Sequence, residues 1–199
     1  VVEEPDEADV AFLAVAPGGV NNGGTYMNVI DLVEDLEVEE RLGGKLGKDK
    51  TGDTIPLTTL EGVKDIRKIA NKVHENGGIV IATINITSPW ILTNLEPYCD
   101  ALLGQFSSSN SAQFDVITGA FAPTGKLPVT MVSSNDVIAV HDEEIDGVVY
   151  EICASPNDVP GYDKDQYIDP AILAEVPGGS YAYYDADGNY YRSGFGLSY

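Results

Sequence analysis

The residues of this chain that could do chemistry are mostly glycines, amides and hydroxyls. Pro17-Gly18-Gly19-Val20-Asn21-Asn22-Gly23-Gly24 follows directly on an apolar run, residues 8–16 (ADVAFLAVA). Gly18 and Gly23, like Gly19 and Gly24, have the G-x4-G spacing of a phosphate loop. Gly24-Thr25 and Thr25-Tyr26 stand where a lysine would have to reach the phosphates. The segment also lacks the G-x-G-x-x-G spacing of a dinucleotide site. Two readings remain, a loop whose backbone approaches a neutral polar ligand or a flexible connection. A second polar loop, Ser107-Ser108-Ser109-Asn110, follows another apolar run. Its hydroxyls and amide can donate and accept hydrogen bonds but cannot serve as a general acid near neutral pH.

Other chemistry-bearing residues read more simply. Asp185, Asp187 and Asn189 are spaced like calcium ligands, but Gly188 is misplaced for an EF-hand loop, and turn chemistry accounts for them better. His74 and His141 have no ligand-like neighbours in sequence and read as surface residues. Cys99 and Cys153 make neither a disulfide framework nor a zinc site. No metal and no cofactor is therefore expected. Asn85-Ile86-Thr87 has the form of a glycosylation sequon, yet it falls at a strand end where a glycan would hardly fit. Trp90, the single tryptophan, reads as core packing rather than a sugar-stacking platform.

The bulk composition narrows the partners. Thirty-two acidic residues against 11 basic ones give a net charge of −21, with 43% hydrophobic residues over 199 positions. Such a surface opposes nucleic acid and anionic membranes, which need positive charge. No apolar run approaches the ~18 residues of a membrane span. No secretory leader is visible, and the compartment is left open. The length suits a single domain, residues 1–199.

The elements that must position these residues follow from hydrophobic pattern. Residues 8–16 and 79–84 (IVIATI) are short β-branched or apolar runs, the mark of strands covered on both faces. Residues 30–42, with Ile30, Val33, Leu36 and Val38 among acids, suggest a helix, and residues 43–56 a glycine-rich loop. Thr58 and Glu61 have capping-box spacing. Leu60, Val63, Ile66, Ile69, Ala70 and Val73 fall on one helical face, ended by Asn76-Gly77-Gly78. Ser88-Pro89 predicts a helix that stops near Glu96, before Pro97. Residues 101–106 form a further strand, a helical stretch runs through Ile117, and residues 127–132 are extended. Residues 147–152 suggest a strand, residues 155–179 an irregular loop, and the C-terminus a hairpin turning at Asp187-Gly188. The fold class is α/β, a three-layer sandwich with a mostly parallel sheet and an irregular C-terminal segment ending in a hairpin.

Three pieces together resemble the C-terminal α/β sandwich domain of family 3 glycoside hydrolases, the β-glucosidase group. They are Leu95-Glu96-Pro97-Tyr98-Cys99-Asp100-Ala101-Leu102-Leu103, the stretch Asp115-Val116-Ile117-Thr118-Gly119 through Thr124-Gly125-Lys126-Leu127-Pro128-Val129-Thr130, and the closing Gly188-Asn189 through Arg192-Ser193-Gly194-Phe195-Gly196-Leu197-Ser198-Tyr199. The resemblance implies a partner, an N-terminal (β/α)8 barrel in the same protein or a separate chain, that carries the catalytic nucleophile. It implies a β-glucoside-like carbohydrate substrate held partly by this domain. Retaining hydrolysis needs two carboxyl groups about 5–5.5 Å apart. In related enzymes a glutamate comes from one of two loops, which here read GGVNNGG and SSSNSAQ and hold none. A glutamate from elsewhere, such as Glu34 or Glu37 in the acidic helix, could reach in, but nothing in the spacing supports it. The resemblance therefore makes Asn21, Asn22, Ser108 and Asn110 the candidate sugar contacts, with the isolated chain inactive. The alternative is a non-catalytic carbohydrate-binding or structural module.

Overall fold

A computed structural model describes residues 2, 4–18, 30–34, 58–138, 140–145, 147–153, 165 and 168–198, the side chains of 140–145 and 149–153 aside. The chain divides into two compact units, Val1–Phe114 and Asp115–Tyr199. The first is built on a parallel sheet in the order β1 (Val10–Val15), β2 (Ile79–Asn85), β3 (Ala101–Gln105). Val10 lies opposite Ile79, and Ile81 opposite Ala101. The α/β class read from sequence is the class observed.

Helix α1 (Val63–Glu75) joins β1 to β2 as the crossover of a parallel pair. Its apolar residues recur every three to four positions, so Val63, Ile66, Ala70 and Val73 share the buried face. Ala70 and Val73 pack on Val80 of the central strand, with Ala11, Leu13, Ile69, Tyr98 and Cys99 around them. Gly77 ends the helix at φ +77°, a backbone region in which glycine has no Cβ penalty. The next glycine is fixed by space. A Cβ on Gly78 would lie 2.6 Å from the Ala8 carbonyl oxygen and 2.8 Å from Val73 Cγ1. Phe12, one residue out of phase with Ala11 and Leu13, points to the opposite face of the sheet. There it meets Phe114 of helix α2 (Asn110–Ile117), ring centroids 5.1 Å apart.

Four local expectations change. Both faces of β1 and β2 are not closed throughout: Val10 stays 53% exposed and Ile79 44%. Thr58 is not the cap of the helix. Helix α1 starts later, after Gly62 at φ 74°, and Thr59 instead turns its hydroxyl to the backbone of Asp31 and Val33. Residues 30–34 are not helical: Asp31 bridges Ile91 in parallel fashion, and Ile30 and Leu32 are buried on alternate positions. The remainder of that expected helix, and the loop at 43–56, lie outside the described residues. Residues 88–96 form no α-helix. They give the bridge at Ile91 and two 3-10 turns, Leu92–Asn94 and Glu96–Tyr98. The reason is burial. Trp90, Ile91, Leu92 and Leu95 are all nearly inaccessible, more than one helical stripe could hide. Asn94 adds a competing bond, its amide nitrogen donating to the Leu32 carbonyl at 2.7 Å. Trp90 is core, as expected, its indole N–H donating to the Asn85 carbonyl at 3.2 Å.

In the second unit β4 (Val140–Ile145) and β5 (Val148–Cys153) make an antiparallel hairpin, of which the sequence pattern revealed only the second strand. Residues 127–132, expected to be extended, form no continuous strand: the chain bends at Pro128 and Val129 and makes one antiparallel bridge, Val132 to Ala182, while its backbone is cross-bonded to the C-terminal segment. Met131 N–H donates to the Tyr191 carbonyl, Tyr183 N–H to Met131, and Ser133 N–H to Tyr181. The terminal hairpin forms where expected, with Tyr184 bridging Tyr190 and Gly188 at φ 89°. Tyr191 stacks on Phe195 at 4.7 Å. A short helix, α3 (Pro170–Glu175), is capped by Asp169, whose carboxylate accepts from Ala171 N–H.

Candidate functional site

Parallel strands end on a common edge, and in α/β folds ligands bind where the following loops leave that edge. Of the two loops singled out there, the described one is residues 107–110, between β3 and α2. Ser107 takes φ 57°, and it is the one non-glycine residue with positive φ among the described residues. The strand ends hold it there. Asn85, at the end of β2, accepts the Ser107 N–H through Oδ1 at 3.1 Å, and Gln105, at the end of β3, accepts the Ser108 N–H through Oε1 at 2.9 Å. From the other side, buried Gln113 of α2 donates to the Ser108 carbonyl at 3.2 Å. Ser109 Oγ accepts the Ala112 N–H at 3.3 Å, satisfying one donor of the helix start.

Two of the four candidate contacts are thus brought together on one braced loop. Ser108 and Asn110 are both exposed, Asn110 as the first residue of α2. Asn21 and Asn22 lie outside the described residues. Of the two residues that position the loop, the sequence reading passes over Gln105 and takes Asn85 only as part of a discounted sequon, although polar residues ending apolar strands are a signal that could have found both. The loop has hydroxyls and amides to offer and no carboxylate.

A carboxylate does occur beside β1. A cleft of about 600 Å3 is lined by Phe12 through Ala16, Gly18, Thr58, Thr59, Leu60, Glu61 and Ile66. Glu61 is exposed there, just before Gly62. Glu34, one of the two substitutes considered for an acid, is committed elsewhere. Its Oε2 accepts the Gly62 N–H at 3.1 Å, at the positive end of α1. Glu37 lies outside the described residues.

The other polar clusters are structural. Asp100 precedes β3 and accepts the Val80 N–H at 2.7 Å and the His74 Nε2 at 2.8 Å through the same oxygen. The Val80 bond above all, with His74, holds the Asp100 carboxyl below its usual range. His74 is a surface residue, as expected, with Asp100 as its partner. Burial pushes the Cys99 thiol up to about 12, helped by the negative charges of Glu96 and Asp100. It is therefore a poor nucleophile. Asp185 organises the terminal turn, accepting from Asp187 N–H, Asn189 N–H and the Asn189 amide within 3.0 Å. Turn chemistry is what this trio does. Among the described residues no group of three or more His, Cys, Asp or Glu side chains could hold a metal ion. No helix among them is long and apolar enough to cross a membrane.

The chain matches no protein-family model, no curated protein and no solved structure.

Proposed function

We propose that this chain is the C-terminal domain of a β-glucosidase-like glycoside hydrolase, lining one wall of a sugar pocket that a (β/α)8 barrel completes. The observation that carries the reading is the loop at 107–110. It sits at the carboxyl edge of a parallel sheet, is held in a strained conformation by Asn85 and Gln105, and points exposed hydroxyls and an amide outward. Strain of this kind persists only where its surroundings enforce it. Ser108 and Asn110 would bind sugar hydroxyls by neutral hydrogen bonds, with Asn21 and Asn22 as further contacts. The barrel would supply the nucleophile, and hydrolysis of the O-glycosyl bond would occur between the two parts.

A second reading has its own support. Neither candidate loop contains a carboxylate, which favours a non-catalytic carbohydrate-binding module. The test has two arms. The isolated chain should leave an aryl β-glucoside intact, and turnover by pure protein overturns the proposed division of labour. Calorimetric titration with glucose and cellobiose should show weak binding that Ser108→Ala and Asn110→Ala each reduce. No heat with either sugar overturns the sugar-wall reading and leaves a structural module.

A further inference from the structure

We infer that Asn76 is a modification site: its amide is lost to form aspartate or isoaspartate when the last turn of α1 frays, and the isoaspartyl product unseats the junction between α1 and β2. The inference does not depend on the sugar reading. Asn76 precedes Gly77, which has no side chain to shield its backbone nitrogen. Residues 74–77 are all exposed, and asparagine is among the chemically labile residues. In the reaction the Gly77 nitrogen attacks Asn76 Cγ, and the new N–C bond closes a cyclic imide. The Cγ–Nδ2 bond breaks, and Nδ2 leaves as ammonia with the proton given up by the Gly77 nitrogen. Water then opens the imide at either carbonyl. Opening at Cγ gives aspartate. Opening at the backbone carbonyl leaves Gly77 joined through Cγ, which is isoaspartate.

The fold holds both reacting groups until the helix end opens. Gly77 N–H donates to the His74 carbonyl at 2.9 Å, and Asn76 Nδ2 donates to the Lys72 carbonyl at 3.0 Å. Gly78 N–H reaches back to the Val73 carbonyl at 2.9 Å, completing the Schellman arrangement of a helix that ends in a left-handed glycine. Helix ends fray, and these residues lie in water, so local opening is the route to the imide. The product does not fit the same place. A carboxylate at 76 has no hydrogen to donate to Lys72, and it adds negative charge at the negative end of α1. Isoaspartate also lengthens the main chain by a methylene just before Gly77. Space at Gly78 is already closed by the Ala8 carbonyl oxygen and Val73 Cγ1. The next N–H, from Ile79, binds the Asp9 carbonyl at 3.0 Å where β2 begins to pair with β1. The longer link must therefore give up the Gly77 and Gly78 bonds or shift the start of β2.

The test keeps the 199-residue chain in mildly alkaline buffer and follows Asn76 by peptide mapping with mass spectrometry, which separates it from the Asn-Gly pair at Asn22-Gly23. Conversion of Asn76 should be about tenfold or more slower than in the urea-unfolded chain. Its rate should nevertheless stay nearly constant with urea below the unfolding transition, because local opening exposes little surface. A rate that climbs with urea in step with global unfolding overturns the proposal. So does a native rate more than about 10,000-fold below the unfolded one, a level that global unfolding alone would supply. The purified isoaspartyl chain should lose amide protection at Gly77 and Gly78 by about tenfold or more in hydrogen exchange. Asn76→Asp, which has the carboxylate but the ordinary backbone, should lose less. Unchanged protection in the isoaspartyl chain overturns the coupling to the junction.

Discussion

Ser107 sits in a backbone region that costs a side-chain-bearing residue about 1–3 kcal/mol. Ser107→Gly removes that strain but loosens the unfolded chain, so stability should stay within about 1 kcal/mol of the parent by urea titration. Ser107→Val should lose about 1–3 kcal/mol, since a β-branched residue tolerates positive φ poorly. Asp185 gives the clearest pH signature. Burial alone would raise its pKa, but the bonds from Asn189, Tyr191 and Asp187 outweigh it and lower the value. A carboxyl lowered in the folded state stabilises above its unfolded pKa, near 3.9, and that contribution fades as pH falls through the lower folded value. Asp185→Asn places an amide donor among N–H groups that need an acceptor. It should cost about 1–3 kcal/mol at pH 7 and flatten the acid limb of the stability curve. For Cys99, raised from 9.0 to about 12, a thiol reagent at pH 8 should react roughly a thousandfold more slowly than with an ordinary thiol. Native-state labelling in a Cys153→Ser background measures this, and fast labelling would contradict the buried, desolvated environment.

Among the elements, α1 was the most legible. Its apolar period fixed both the buried face and the glycine stop, because a single amphipathic helix on a sheet has one way to hide that stripe. Its start was misread because Thr59, beside the residue assigned as cap, serves the backbone of Asp31 and Val33 instead. The segment around Trp90 was the least legible. Local signals of serine and proline favour a helix start, but the burial of four neighbouring apolar residues is a demand of the tertiary structure that no local pattern contains. The same limit applies to the candidate site: a polar loop after a strand was visible, its bracing by Asn85 and Gln105 was not. Two substitutions probe these elements. Trp90→Ala should cost about 3–5 kcal/mol, through the lost packing of a fully buried side chain. Gly78→Ala should cost about 1–3 kcal/mol, because its Cβ meets a backbone oxygen that cannot swing aside as a side chain would. Thermal or urea unfolding checks both.

For the molecule as a whole, the sheet's register carries a consequence for the route to the native state. Strands β2 and β3 pair residues such as Ile81 and Ala101, close in the chain, whereas β1 must meet β2 across roughly 70 residues, from Val10 to Ile79. Closing the longer loop costs about 1 kcal/mol more by chain entropy alone. The more local α1–β2–β3 region should therefore condense first, with β1 arriving after the rate-limiting step. Chevron measurements would show it. Val80→Ala should slow folding, while Leu13→Ala should act mainly by speeding unfolding. Until β1 arrives, the buried flank of β2 is itself an unpaired strand, so this protein's hazard of misassembly lies in the interval before its first strand finds its place.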